Sequence, residues 1–79
     1  PFVTITDTPT GWLNVRKTPS TIGEIIKKVY PKDSYAYLET NSTGWYKIIL
    51  EEGQEGWISG KYGTLRKASV KAVENEDDQ

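Results

Sequence analysis

The residues of this chain able to act as acid and base are carboxylates, and the tightest group among its strand-forming residues is Glu51, Glu52 and Glu55. Histidine and cysteine are both absent. That removes Ser-His and Cys-His nucleophiles, a histidine base, zinc sites built from those ligands, and disulfide staples. The three glutamates surround Gly53 and Gln54 in a polar turn, where nothing apolar would raise a carboxyl pKa, so they read as solvated. A calcium loop needs more spaced Asp and Asn ligands than this turn offers. The inventory points away from catalysis, metals and cofactors. It is better suited to binding: the indole of Trp45 is a flat stacking surface with one N–H donor, and the fork of Arg16 fits a carboxylate.

Strands must carry these groups, because no stretch before residue 66 keeps an apolar stripe of helical period and Gly and Pro punctuate the chain at short intervals. Two-residue alternation predicts strands over Phe2–Thr6 and Trp12–Arg16, and over 35–40, where the period alone leaves the buried face ambiguous. Glu24–Tyr30 is Ile-rich and alternates less cleanly, Trp45–Leu50 and Gly56–Ser59 read as the two strands of a hairpin, and Thr64–Arg66 as a last short strand. Turns are predicted at Thr8–Gly11, Pro31–Asp33, Glu51–Gln54 and Gly60–Gly63, with a longer loop tip at Lys17–Thr21. Asn41-Ser42-Thr43 reads as a polar loop and also matches a glycosylation acceptor, a pattern common by chance. Tyr46, Ile48 and Leu50 form the more apolar face of their strand, which sends Trp45 and Lys47 outward. Trp45 is then either a groove residue or rim packing. Trp57, following Gly56 out of a hairpin, is expected to be structural.

The 79 residues allow one domain. Many short strands without metal or disulfide favour an all-β closed barrel over residues 1–67, in which the three Trp, five Tyr and one Phe supply much of the core. Residues 68–79 turn acidic and are expected to be a disordered tail or linker. Residues 1–67 carry nine basic and seven acidic side chains, a balance of +2 too small to argue for nucleic acid or an anionic membrane. The longest apolar run, Ile48-Ile49-Leu50, is far short of a membrane span. Starting at Pro1 without any methionine, the chain reads as an excised module or processed product. It is expected to be monomeric.

Leu13-Asn14-Val15-Arg16 with Pro19-Ser20-Thr21, then Gly44-Trp45-Tyr46-Lys47-Ile48 and Gly56-Trp57-Ile58-Ser59, form an ordered set that resembles the bacterial SH3 family. The resemblance covers residues 12–66. One departure is Lys17-Thr18, where the family commonly has Ser-Gly, so the loop loses an easy positive-φ position. The second half is also similar to eukaryotic SH3 domains, with Trp45 and Tyr62 at matching positions, but the first half has Asn14, Arg16 and Lys17 in place of an acidic, tyrosine-rich loop.

The resemblance implies an SH3-like barrel of five to seven short strands, extracellular or in the cell envelope, that holds a parent peptidoglycan hydrolase or surface protein to the cell wall. It also implies a ligand site: Tyr62 beside Trp45 in a shallow groove edged by Arg16 and Lys17, receiving a wall peptide or glycan. Arg16 either meets a ligand carboxylate or pairs with a nearby Glu. Asn14 either contacts ligand or fixes a loop. The alternative function is a structural module that packs on a catalytic domain of the same parent and shapes its substrate cleft. The isolated chain is expected to leave purified peptidoglycan intact; turnover that disappears on replacing Glu51, Glu52 or Glu55 would contradict the inventory.

Overall fold

The computed structural model describes residues 1–66, so the acidic segment expected to be a tail lies outside the described residues. Seven strands form: β1 Phe2–Ile5, β2 Leu13–Arg16, β3 Ile25–Val29, β4 Ser34–Thr40, β5 Trp45–Ile49, β6 Glu55–Ser59 and β7 Gly63–Arg66. Each lies within a residue or two of its predicted range. They make one antiparallel sheet in the order β3-β2-β6-β5-β4-β1-β7, coiled into the expected SH3-like barrel. A single 3-10 turn, Gly60–Tyr62, separates β6 from β7, and the Ser59 hydroxyl caps it by accepting from the Lys61 N–H at 3.3 Å.

Strand period decides the core. Val3, Ile5, Val15, Val29, Ile48, Leu50 and Ile58 are all essentially inaccessible and in mutual contact. β-branched and Leu side chains at alternate positions pack tightly on a pleated surface. Aromatic residues contribute less than expected: Tyr35, Tyr37 and Tyr46 pack against the cluster from its margin, while no tryptophan belongs to it and Phe2 is 49% exposed. The reason is positional, because Trp45 and Trp57 fall on the outward phase of their strands and Trp12 precedes β2. Tyr37 and Tyr46 meet edge to face, with ring centroids 5.9 Å apart and planes at 85°. Alternation in β4 was ambiguous, and a register shift between Tyr37 and Glu39 explains it. Tyr35 and Tyr37 take the inward phase ahead of the bulge, and Leu38, at the bulge, is left outside.

The hydrogen-bonded ladder does not close. β2 reaches β6 through one residue pair, Arg16 with Trp57, and the sheet ends at β3 on one side and β7 on the other. Gly44 and Gly60 account for the tight approach between the loop before β5 and the turn after β6. Gly44 has φ +89°, the Gly60 N–H donates to the Gly44 carbonyl at 3.0 Å, and a Cβ on Gly60 would collide with that same oxygen. Positions 17 and 18 need no glycine: among the described residues only Lys32 of the non-glycines has positive φ.

Burial raises the Tyr35 pKa above the ordinary tyrosine value, and the Asp33 and Glu51 carboxylates push in the same direction. A raised tyrosine pKa favours the neutral form in the fold, so its contribution to stability is complete below the unfolded pKa of about 10 and is lost as pH rises through the folded value. Thermal melts between about pH 8 and about pH 11 should therefore show a steeper loss for the parent than for Tyr35→Phe. Equal losses would mean that Tyr35 is no more constrained than the other tyrosines.

Candidate functional site

Two concavities mark the surface. One, of about 310 Å³, lies along the start of β4 and the end of β5 and is lined by Asp33, Ser34, Tyr35, Ala36, Ile49, Leu50 and Glu51. The other, of about 370 Å³, gathers residues from five separate parts of the chain. Thr8, Pro9, Thr10 and Trp12 come from the first turn, Asn14 and Arg16 from β2, Thr21 from the long loop, Trp45 from the start of β5, and Ser59 and Tyr62 from the 3-10 turn. Three aromatic rings on one concave surface suit recognition far better than a shallow acidic depression. This aromatic groove is the candidate site.

Local hydrogen bonds fix the backbone behind each ring. Trp12 is 37% exposed, yet its carbonyl accepts from the Thr8 hydroxyl at 2.9 Å and from the Thr10 hydroxyl at 3.1 Å. Asn41 does the same for Trp45: its Oδ1 accepts from the Trp45 N–H at 2.8 Å and from the Thr43 N–H and hydroxyl at 3.2 Å. The Asn41 N–H in turn donates to the Trp45 carbonyl at 3.0 Å. Tyr62 is anchored through its carbonyl, which accepts from Thr6 at 2.9 Å. Rings held by such a frame lose little entropy when a ligand stacks on them.

Cations rim the groove. Lys28 lies 4.6 Å from the ring centre of Trp12, and Lys61 lies 5.6 Å from that of Tyr62. Arg16 is the one charged lining residue, and no carboxylate lines the groove. Among the described residues Arg16 pairs with none of the glutamates. Its Nη1 donates to the Gly23 carbonyl at 2.8 Å, tying the long loop to β2, because that carbonyl is nearer than any acidic group. The rest of the guanidinium keeps donors to offer. Asn14 fixes no loop; its Oδ1 is buried without a hydrogen-bond partner among the described residues. Leaving such an acceptor unpaired costs about 1–3 kcal/mol, so stability does not explain an Asn at this strand position.

Of the residues singled out from sequence, the groove brings together Trp45, Tyr62, Arg16 and Asn14. Lys17 is exposed and outside the lining, its N–H donating to the Glu24 carbonyl at 2.8 Å. Trp12 was missed; its signal was the Thr-Pro-Thr-Gly turn that delivers it. Trp57 is half-buried on the outer face, outside the core, with Arg16 and Lys47 as its cross-strand neighbours and the Lys47 ammonium 5.7 Å from its ring.

The family model described as "Bacterial SH3 domain" matches residues 11–64, which include every element of the groove except its first turn. The chain belongs to the bacterial SH3 domain family. Three relatives are named probable endopeptidase p60: one from Listeria innocua is 32% identical over 82% of this chain, one from Listeria monocytogenes 30% identical over 84%, and one from Listeria grayi 29% identical over 78%. The matched segment is 14% of the first two proteins and 12% of the third. A bacterial SH3 domain is a non-catalytic module, and so small a share of an endopeptidase leaves its catalysis to other domains.

Asn41→Ala should lower stability by about 1 kcal/mol, or about 4–8 °C in Tm for a domain of this size, while speeding exchange of the Trp45 amide. An unchanged exchange rate would remove Asn41 from its positioning role.

Proposed function

We propose that this bacterial SH3 domain is a targeting module whose aromatic groove binds peptide or glycan of the bacterial cell wall, in the envelope or outside the cell. The observation that carries the reading is the outward placement of Trp12, Trp45 and Tyr62 on one groove without a carboxylate. Burying tryptophan would have stabilised the fold, so its presence on a concave outer surface calls for an occupant. The missing carboxylates favour neutral or anionic ligands, and the free donors of Arg16 suit a peptide carboxylate. Relatives named endopeptidases, much longer than the matched segment, fit a domain that concentrates an attached hydrolase on its substrate.

A second reading, packing on a neighbouring domain of the parent, is favoured by a separate observation. Phe2 is 49% exposed and Leu38 42%, and Phe2 pairs across the strands with Ala36, which pairs with Ile49. These residues form an apolar strip on the outer face, away from the groove. Co-sedimentation with purified cell wall separates the readings.

Trp45→Ala should weaken sedimentation about thirtyfold, the equivalent of an aromatic hot spot worth about 2 kcal/mol. Its Tm should move much less than a core truncation would move it, because an outward ring leaves no cavity. Collapse of the fold, or full wall binding by the mutant, would make Trp45 a packing residue.

A further inference from the structure

Among the described residues the sheet has a free edge at β3, and that edge is unusually apolar. Three of the six exposed large hydrophobic residues fall on it or beside it: Ile22 at 92% exposure on the loop leading in, Ile25 at 49% as its first residue, and Tyr30 at 52% just past its end. Edge strands normally guard themselves with lysines that project across the open backbone. β3 has two, but both are engaged elsewhere. Lys27 reaches the Glu51 carboxylate at 3.4 Å, and Lys28 leans over Trp12, which lies on the β2 side. The loop ahead of the strand is fixed by the Arg16 bond to Gly23 and by the Lys17 N–H on the Glu24 carbonyl at 2.8 Å. The open edge is therefore held extended and ready to pair.

We propose that the β3 edge is a second binding surface, meeting the groove only at Lys28 on its rim, that takes an extended acidic peptide segment as an added strand. Main-chain pairing would supply the affinity of such a strand, and side-chain pockets and charge its selectivity. Charge complementarity sets the chemistry of the occupant. Lys27 and Lys28 sit mid-strand with no acidic residue inside β3, and the Lys27–Glu51 pair is exposed enough for Lys27 to change partner. A second copy of the domain is the wrong occupant, because antiparallel self-pairing about the strand centre would set Lys27 against Lys27. Lys27 and Lys28 are adjacent and point to opposite faces, so a segment alternating acids with apolar residues would set its acids on the outward face with Lys28 and its apolar residues on the other. At about 3.3 Å per residue, the strand gives about 17 Å of pairable edge.

The test titrates the intact chain with a short, end-capped synthetic peptide alternating valine and glutamate, followed by backbone amide shifts. The expected result is saturable shifts concentrated on residues 24–29, cross-strand amide contacts to the peptide, and weak response to a valine–lysine control. Lys28→Glu should weaken the interaction about tenfold, with Lys28→Gln falling between it and the parent. Shifts confined to Trp12, Trp45 and Tyr62, equal response to the lysine peptide, or no saturable shift would each overturn the proposal. Any of these results leaves wall binding by the groove to be judged by sedimentation.

Discussion

The two-residue period of the strands, filled on the inward phase by Val, Ile and Leu, is the constraint on which the rest of this domain depends. It lets seven short strands close a core in which Val3, Val15, Val29, Ile48 and Ile58 are fully inaccessible. With the interior satisfied by aliphatic residues, no tryptophan is needed there. The same phase rule that buries Ile48 and Ile58 turns Trp45 and Trp57 outward, since each lies an odd number of positions away. Core and outer aromatic surface are two consequences of one pattern.

A second constraint is the close approach of the loop before β5 to the turn after β6. Gly44 and Gly60 permit it and share a hydrogen bond across it. That contact sets Trp45 beside Ser59 in register, with Tyr62 one turn further on. Trp45 and Tyr62, distant in sequence, thus line one groove without any side chain bonding directly to another. Their framework consists of backbone groups and the small polar residues Thr8, Thr10 and Asn41, whose oxygens hold the chain on which the rings are mounted.

Most of the fold was legible because its information is local. Alternation located β1, β2, β4 and β5, the hairpin turn located β6, an Ile-rich run β3, and glycine, proline and short polar runs located the turns. What was not legible depends on contacts between strands. The β4 bulge arises from pairing with β5, so the break in alternation that leaves Leu38, Glu39 and Thr40 all exposed cannot be read from β4 alone. For Arg16, sequence offered carboxylates as partners, whereas the fold brought the Gly23 carbonyl within 2.8 Å. Loop fixing falls to Asn41 rather than Asn14 for a similar reason: it needs a nearby N–H, which the turn gives Asn41 and the ladder does not give Asn14. Trp12 was hidden because a residue leaving a turn has no phase until the strand is paired.

On the proposed function, the size of the groove also accounts for a bacterial SH3 domain acting as part of a larger protein. A cleft of about 370 Å³ is near the small end of the range for ligand sites and can enclose only a short stretch of any polymer. Its lining offers ring faces, one guanidinium and a few hydroxyls, so affinity per site is limited by what those groups gain over the cost of immobilising a flexible chain. A repeating polymer changes the balance, because a ligand unit released from the groove is replaced by its neighbour and an attached domain stays within reach of the same chain. On the proposed function, weak and fast engagement is the useful design: a module that held one wall segment tightly would keep its catalytic neighbour from the next bond. The cationic rim of Lys28 and Lys61 serves the same end, since exposed charges raise encounter rates more than they lengthen residence.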